Sequence, residues 1–386
     1  MSTTAAVLTL LAFLPAQDTV APADVTARIE AIRVKAELPA LAGALVTRDG
    51  LQGVWVTGLR QKGGDQAVTP DDQWHLGSCT KSMTATVLAL LVKRGDLTWD
   101  VPLGDALPEL AEGMHERFRE VTLIQLVCHR AGVDDSAMMA HMMEWRTSQA
   151  PVLEQREELC RLALAAAPKH EPGSTFEYAN TGFVIAGHVA EVATGKPWEE
   201  LMRTLLFSPL GMKSAGFGAP GVANADDQPR GHFPGGAAVE PGPMADNPAV
   251  IGPAGTVHAT LGDWAKYVQM HLAGVREDVK LGEITLTVDD FAVLHEAFDG
   301  PGQGYGFGWV HDTRPWAGRD GAVLWHNGSN TMWYALTWLG LENGVAGLAV
   351  TNVFTPAAQG ATDEVVGLLV KEWERRGAPA GELAPK

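Results

Sequence analysis

Helix-like and strand-like patterns of apolar residues open the chain. Residues 23–36 carry apolar positions at helical spacing, and two apolar runs at 42–47 and 53–58 then flank the turn pair Asp49-Gly50. Strand-like runs on either side of an Asp-Gly pair are typical of a β-hairpin. The sequence therefore predicts a helix followed by a hairpin.

The C-terminal part returns to the same alternation. The predicted strands are residues 322–327, 331–339 and 345–353. A final helix over 363–376 is predicted to have Thr362 as its N-cap and to end at Gly377. Because strands lie at both chain ends, they can pair in one antiparallel sheet with helices packed against it.

Between these ends the pattern is mostly helical. A helix is predicted to begin near Ser78, to continue through the leucine-rich run 85–92 and to end at Gly95, a residue type that tolerates the left-handed cap conformation. Residues 154–167 and 182–194 are predicted to form two further helices. The predicted fold class is α/β, in the α+β sense: an antiparallel sheet flanked by helices, with a second, mostly helical lobe.

The two lobes are expected to form one domain over residues 20–376. The α/β lobe would be built from about 20–75 and 255–376, and the helical lobe from about 76–254. Residues 226–255 are rich in Pro, Gly, Asp and Ala, and a loop of that length usually covers a site or moves. We expect a small-molecule site in the cleft between the lobes.

Charge and cysteine content exclude several classes of function. The formal net charge is −17, with no cluster of Lys and Arg, which argues against a nucleic-acid partner because phosphate binding needs clustered positive charge. Cys79, Cys128 and Cys160 are too few and too scattered for a disulfide framework or a zinc knuckle. A His-Glu-x-x-His motif is absent, and no cofactor is predicted.

The N-terminus resembles an export signal. Residues 5–16 form an apolar run that is too short for a bilayer, which takes about 20 residues, but that has the length of a signal-peptide core. We therefore expect residues 1–19 to be a signal peptide, or else a disordered leader, and the mature protein to be periplasmic or secreted. Residues 377–386 are expected to form a flexible tail, and no later apolar run has the length of a membrane helix.

Ser78 and Lys81 form the first chemical candidate. Side chains three residues apart lie on one face of a helix, about 5–6 Å from each other, and the apolar residues after Lys81 predict that this helix is buried. Burial lowers the pKa of a lysine because it disfavours the charged form, and a neutral amine can take the proton of a neighbouring hydroxyl. Ser78 is the only serine of the chain with a lysine at this spacing, although so short a pattern also arises by chance.

Two further motifs carry polar groups suited to the same chemistry. Tyr178 and Asn180 precede the predicted helix 182–194, where a phenol could hold a phenolate or relay a proton and an amide could donate to a substrate carbonyl. His326-Asn327-Gly328-Ser329 ends a predicted strand, where glycine permits a close approach and the next N–H could face an oxyanion. Taken alone, each motif is more simply explained by a buried tyrosine with a capping asparagine, or by a histidine at a β-turn.

Together, the three motifs resemble the serine β-lactamase and penicillin-binding protein family, in the branch that contains class C β-lactamases and family VIII carboxylesterases. The resemblance follows the order of the family from about residue 20 to about residue 376. It is carried by WHLGSCTK at 74–81, LVCHRAG at 126–132, the segment from EPG at 171–173 to residue 187, SPLGM at 208–212, PAG at 253–255 and YGFGW at 305–309.

The resemblance implies a β-lactamase/transpeptidase-like fold and a covalent acyl-enzyme mechanism. It makes Ser78 the acylated nucleophile, Lys81 its activating amine, and Tyr178 the general base or proton relay. Asn180 would orient the substrate. The backbone N–H groups of Ser78 and Ser329 would form the oxyanion hole.

One departure from the family pattern concerns the substrate. The Lys-Thr-Gly motif, which in the family recognises the carboxylate of penicillins and D-alanyl peptides, is replaced by His326-Asn327-Gly328. A histidine with the ordinary pKa of about 6.5 is mostly neutral at pH 7 and is a weaker anchor for an anion, while Asn327 could still donate a hydrogen bond. We therefore expect hydrolysis of small esters or amides. The alternatives are a class C-type β-lactamase, a D-alanyl-D-alanine carboxypeptidase or a D-aminopeptidase.

Three other interpretations remain. A Ser-His-Asp hydrolase fits the order of Ser78 and His326, but no Gly-x-Ser-x-Gly elbow occurs, and the lysine and tyrosine would have no role. A non-catalytic sensor would be acylated once without turnover. The run MMAHMM at 138–143 contains thioethers that suit Cu(I), but such methionines more often fill apolar gaps, and they could also line the pocket with Trp145.

Overall fold

Both ends of the chain contribute strands to one antiparallel sheet. The computed structural model describes residues 22–298 and 304–377. The strands are β1 (Ala40–Thr47), β2 (Gly50–Gly58), β3 (Gln73–His75), β4 (Gly216–Phe217), β5 (Gly231–His232), β6 (Ala238–Val239), β7 (Val257–Thr260), β8 (Val279–Leu281), β9 (Ile284–Leu286), β10 (Tyr305–Gly306), β11 (Trp309–Thr313), β12 (Ala322–Gly328), β13 (Tyr334–Gly340) and β14 (Val345–Thr351). Seven of them form the main sheet in the order β10-β11-β12-β13-β14-β1-β2, which confirms the predicted pairing of the two chain ends.

Helices cover both faces of this sheet. They are α1 (Pro22–Lys35), α2 (Thr80–Arg94), α3 (Leu103–Ala106), α4 (Leu123–Val127), α5 (Ser136–Ala140), α6 (Met142–Thr147), α7 (Val152–Ala165), α8 (Asn180–Thr194), α9 (Trp198–Leu201), α10 (Ser208–Leu210), α11 (Gly252–Gly255), α12 (Leu261–Gly274), α13 (Val288–Leu294) and α14 (Pro356–Arg375). Successive β1 side chains alternate between two cores. Ala42 and Ala44 belong to the core that contains α2 and α12, whereas Leu41 and Leu45 pack with α1 and α14.

Helix α2 runs through the larger core and begins directly after the candidate nucleophile. Its residues from Thr80 to Leu91 are all buried. Gly95, at φ 83°, ends it in the left-handed conformation and donates its N–H to Leu91 and Val92 carbonyls, as the sequence predicts. Ser78 itself lies in the short 3₁₀ turn Gly77–Cys79, which leads into the helix.

The predicted starts of the final helix and of the strand after residue 330 are wrong. Helix α14 begins at Pro356 and not at 363, and its N-cap is Thr355, whose hydroxyl accepts the Ala358 N–H at 3.0 Å. Thr362 is a buried residue inside the helix, and its hydroxyl bonds the Ala358 carbonyl one turn earlier. The first turns of α14 contain only small and polar residues. The apolar pattern from which the helix is predicted therefore begins after the helix itself. Strand β13 begins three residues later than predicted, since Thr331 has a φ of 76° and interrupts the extended chain.

The loop over 226–255 is largely irregular, as its composition predicts, but it is held to its surroundings. It contains the short hairpin β5–β6, a 3₁₀ turn at Ala249–Ile251 and helix α11. From α6, Arg146 donates hydrogen bonds to the carbonyl oxygens of Pro243 and Asp246. The loop is therefore attached to α6, and at its end Gly255 lies against Gly77, next to Ser78.

The predicted leader 1–19 and all of the predicted tail 377–386 except Gly377 lie outside the described residues. The division into an α/β lobe and a helical lobe stays a prediction. Among the described helices, none combines the length and the apolar character that crossing a bilayer requires.

Candidate active site

Two glycines bring the predicted oxyanion donors together. Gly77 has a φ of 49°, in the left-handed region that favours glycine. A Cβ on Gly77 would lie 2.3 Å from the Ser329 amide nitrogen, and a Cβ on Gly328 would lie 2.5 Å from the Ser78 amide nitrogen. The turn before Ser78 and the end of β12 are thus in direct backbone contact. Neither amide donates to a backbone carbonyl in the turn and loop hydrogen bonds of the described residues.

Lys81 is fully buried in the first turn of α2. Its Nζ lies 3.0 Å from Ser78 Oγ, 2.8 Å from Asn180 Oδ1 and 2.8 Å from the carbonyl oxygen of Ala254. Burial lowers the pKa of Lys81 to about 7, against an opposing effect of the Asp135 charge. At neutral pH a substantial fraction of molecules therefore carries an uncharged amine at this position.

The neighbours of Lys81 fix the orientation of that amine. The Asn180 and Ala254 oxygens can only accept hydrogen bonds, so they take the two N–H groups of the neutral form. The nitrogen lone pair is then directed at the remaining neighbour, the Ser78 hydroxyl. The amine can accept the hydroxyl proton in this arrangement, and the Ser-x-x-Lys spacing has the geometry that activation of a serine requires.

Tyr178 lies close to Lys81. The Lys81 nitrogen is 4.9 Å from the centroid of its ring. Although 41% of the residue is exposed, the loss of solvent around the phenol raises the pKa of Tyr178 well above its ordinary value, and the neighbouring Ser78 side chain only partly offsets this effect. The phenol therefore keeps its proton at neutral pH, which suits a proton relay better than a phenolate.

Asn180 is the first residue of α8, two residues before the predicted start, and Asp135 holds it in place. One Asp135 oxygen accepts the side-chain and backbone N–H groups of Asn180 at 3.0 and 3.1 Å. The other accepts the backbone N–H and the hydroxyl of Thr181 at 2.9 and 2.8 Å. The carboxylate thus caps α8 from a distant loop and orients the Asn180 amide so that its oxygen faces Lys81.

Sequence reasoning missed Asp135 for a physical reason. It caps a helix that begins 45 residues later in the chain, so no local pattern links it to that helix. The only signal is an Asp-Asp pair directly before the methionine-rich segment. An acidic pair of this kind is ordinary at a surface turn.

His326 is buried and neutral. Burial, and then the Lys81 charge, lower its pKa to about 3. Its Nδ1–H donates to the Asn327 carbonyl at 2.5 Å, so Nε2 is the acceptor and takes a hydrogen bond from the Tyr305 hydroxyl at 3.2 Å. Because protein groups engage both nitrogens, the imidazole offers a substrate anion neither a positive charge nor a free N–H.

Asn327 is the one predicted site residue that the structure places elsewhere, and its predicted hydrogen bond to substrate is corrected accordingly. Successive side chains of a strand point to opposite faces of the sheet, and His326 faces the Ser78 side. The Asn327 amide instead donates to the Tyr334 hydroxyl at 2.9 Å, in the layer that packs with α1 and α14. The structure brings the other predicted site residues together: Ser78, Lys81, Tyr178, Asn180, His326, Gly328 and Ser329.

The methionine cluster forms parts of α5 and α6, and its side chains are divided between the core and the surface. Met138 and Trp145 are buried in the larger core, while Met139 and Met143 are 62% and 59% exposed. His141 is paired with Glu144 at 2.9 Å. The described residues contain no group of three or more His, Cys, Asp or Glu side chains arranged to hold a metal ion.

Comparison with known proteins agrees with this geometry. The family model for Beta-lactamase matches residues 25–371. Penicillin-binding protein 4 of Amycolatopsis lactamdurans is 28% identical over 387 residues, which cover 91% of this chain and 97% of that protein. Esterase EstB of Burkholderia gladioli is 31% identical over 170 residues, 42% of each chain.

A solved structure supports the fold. The D-amino acid amidase of Ochrobactrum anthropi, in complex with D-phenylalanine, aligns with a TM-score of 0.71 at 21% identity. The alignment covers 91% of this chain and 99% of the amidase. At this level of identity the similarity concerns the fold alone, and it extends over nearly all of both chains.

Proposed function

This chain belongs to the beta-lactamase family, and we propose that it is a serine hydrolase that cleaves small esters or amides through an acyl-enzyme on Ser78. The observation that carries the proposal is the contact of 3.0 Å between Lys81 Nζ and Ser78 Oγ, made by a fully buried lysine whose pKa is lowered to about 7. A buried amine with a lone pair directed at a hydroxyl is suited to general-base activation.

Acylation begins when Ser78 Oγ bonds to the substrate carbonyl carbon and Lys81 takes the hydroxyl proton. The carbonyl oxygen becomes an oxyanion and is held by the Ser78 and Ser329 N–H groups. The bond to the leaving alcohol or amine then breaks. Tyr178 gives its phenolic proton to the leaving group and receives the proton that Lys81 carries, which regenerates a neutral amine.

Deacylation uses the same groups with water as the nucleophile. Water attacks the acyl carbon while its proton passes through the Tyr178 hydroxyl to Lys81, and the same two N–H groups hold the new oxyanion. When the bond between the acyl carbon and Ser78 Oγ breaks, Lys81 returns a proton to the serine. The carboxylic acid leaves, and the enzyme is restored.

The surroundings of His326 favour substrates that need no cationic anchor. A neutral, doubly hydrogen-bonded imidazole replaces the family's lysine at this position. An esterase is the function that this arrangement supports best, in line with the similarity to Esterase EstB. Cleavage of D-amino acid amides is the second candidate, because a penicillin-binding protein is similar over nearly the whole chain and an amidase shares the fold.

Turnover of a substrate panel tests the proposal. Purified protein is incubated with a short-chain p-nitrophenyl ester, a D-amino acid p-nitroanilide and a chromogenic cephalosporin, in parallel with Ser78→Ala. We expect repeated ester turnover by the wild type, a covalent acyl adduct on Ser78 by mass spectrometry, and loss of both in the variant. Equal rates for the two proteins would remove Ser78 from its role, and a single acylation without release would indicate a sensor.

A further inference from the structure

One buried carboxylate lies between the two backbone segments that supply the oxyanion donors. Asp246 Oδ1 is 2.7 Å from His75 Nε2, on the segment that leads to Ser78. The same oxygen accepts the side-chain N–H of Asn330 at 2.9 Å, on the segment that follows Ser329. His75, Asp246 and Asn330 are 1%, 3% and 2% exposed.

His75 connects Asp246 to the turn before Ser78. Its Nδ1 accepts the Gly77 N–H at 3.1 Å, so the ring proton is on Nε2, the atom that lies 2.7 Å from Asp246 Oδ1. A carboxylate in close contact with the second ring nitrogen restrains the tautomer and the orientation of a histidine. The chain Asp246–His75–Gly77 therefore holds the peptide directly before the Ser78 amide.

Asn330 connects Asp246 to the other donor. Its side-chain N–H groups bond Asp246 Oδ1 and the Ala245 carbonyl, while its Oδ1 accepts the Met332 N–H at 3.2 Å. These bonds fix the residue that follows Ser329 and with it the direction of the Ser329 amide.

We propose that Asp246 and His75 form a positioning pair that sets the distance and angle between the Ser78 and Ser329 N–H groups. An oxyanion hole works only if its donors already point at the place where negative charge develops. The contact of Gly77 with Gly328 brings the two segments together, and one carboxylate oxygen that binds both of them fixes their relative orientation. The loop over 226–255 thus has a defined task in transition-state binding. This inference rests on the proposed acyl-enzyme chemistry.

A comparison of an oxygen ester with its thionoester isolates this role. Sulfur is larger and accepts hydrogen bonds more weakly than oxygen, so a well-formed hole favours the oxygen ester. In Asp246→Ala we expect the ratio of the two acylation rates to fall, and acylation of the oxygen ester to slow by about 10- to 100-fold, less than the roughly 10²–10³ of a donor lost outright. KM should change little, because the ground-state carbonyl depends less on the hole.

Conservative variants and a matched control keep the test informative if Asp246→Ala folds poorly. Asp246→Asn keeps one acceptor oxygen, so its ratio of oxygen-ester to thionoester acylation should be larger than that of Asp246→Ala. His75→Asn keeps an acceptor for Gly77 but cannot reach Asp246, and should resemble Asp246→Ala. His258→Asn changes a histidine on the neighbouring strand whose Nδ1 bonds the Gly218 carbonyl, and should leave the ratio unchanged.

The outcomes separate this inference from the proposed function. A wild-type protein that hydrolyses neither ester refutes the proposed function. A wild type that turns over the oxygen ester, together with folded Asp246 and His75 variants of unchanged rate ratio, refutes the positioning role alone. A fall in rate with an unchanged ratio indicates a purely structural effect and also counts against it.

Discussion

Asp135 and Asn180 are 45 residues apart in sequence, yet one carboxylate oxygen of Asp135 accepts both the backbone and the side-chain N–H of Asn180. The Asn180 side chain can therefore present only its oxygen to Lys81. The charge of Asp135 also raises the pKa of Lys81, in opposition to burial. This residue thus influences both the orientation and the basicity of the proposed base.

The first prediction concerns Asp135→Asn. Removal of the negative charge lowers the pKa of Lys81 further, so the acidic limb of the pH–rate profile should move to lower pH. The loss of two acceptor interactions at the start of α8 should also cost about 1–3 kcal/mol of stability. Stopped-flow acylation from pH 5 to 9 and thermal unfolding measure the two effects.

Asp134→Asn is the matched control for that variant. Asp134 carries the neighbouring carboxylate but bonds Ser136, not α8. Its removal should leave the acidic limb in place. Equal shifts in the two variants would assign the effect to general surface charge and contradict a specific link to Lys81.

The second prediction is the pH dependence of the wild type. Lys81 must be neutral to take the Ser78 proton, and its pKa is lowered to about 7. Below pH 7 the acylation rate should therefore fall by about tenfold per pH unit, and above pH 7 it should level off. A flat profile between pH 5 and 8 would show that this amine is not the base, and a limb near 10 would show that its pKa is not lowered.

The third prediction distinguishes two asparagines that sequence alone treats alike. Asn327→Ala should leave kcat and KM within about twofold and should cost about 1 kcal/mol of stability, because it removes only the bond to Tyr334. Asn180→Ala should reduce acylation by tenfold or more, since it frees Lys81 to turn away from Ser78. Steady-state kinetics of the two variants on one ester provides the comparison, and a large loss of activity in Asn327→Ala would refute the assigned face.

The local chemistry was predictable because it depends on short spacings. The pair Ser78 and Lys81 follows from helical geometry, the end of α2 follows from Gly95, and the pairing of the chain ends follows from strand-like runs on both sides of a helical block. Asp135 and Asp246 were not predictable. Each acts across a long sequence separation, and their partners are set by tertiary packing alone.

The face of Asn327 was missed for a different reason. Because side chains alternate along a strand, only one of His326 and Asn327 can point toward Ser78. The family motif includes both positions but does not show which of them faces the site. The start of α14 was missed because small residues fill its first turns. In both cases the missing information concerns which side of an element is packed.

The fourth prediction concerns substrate preference. The neutral His326 offers no charge to a substrate carboxylate, so ester turnover should exceed cephalosporin turnover. His326→Lys should shift the ratio of kcat/KM toward anionic substrates, provided that thermal unfolding shows the variant to be folded. A wild type that hydrolyses cephalosporin faster than ester would contradict our interpretation of this position.

The last prediction links the base to folding stability. The pKa of Lys81 is about 7 in the folded protein, against an ordinary value of 10.5. Between these two values the unfolded chain binds one more proton than the folded chain. Stability relative to a variant without this amine should therefore rise with pH across that window, by about 1.4 kcal/mol per unit.

Lys81→Met provides the comparison, because it keeps the length of the side chain and removes the titration. The stability of the variant relative to the wild type should be greatest near pH 7 and below. The wild type should regain stability as the pH rises from 7 toward 10. The difference in unfolding free energy from urea titrations at four pH values measures the slope. A difference that is independent of pH would mean that Lys81 keeps its ordinary pKa in the folded protein, and the activation of Ser78 would then need another base.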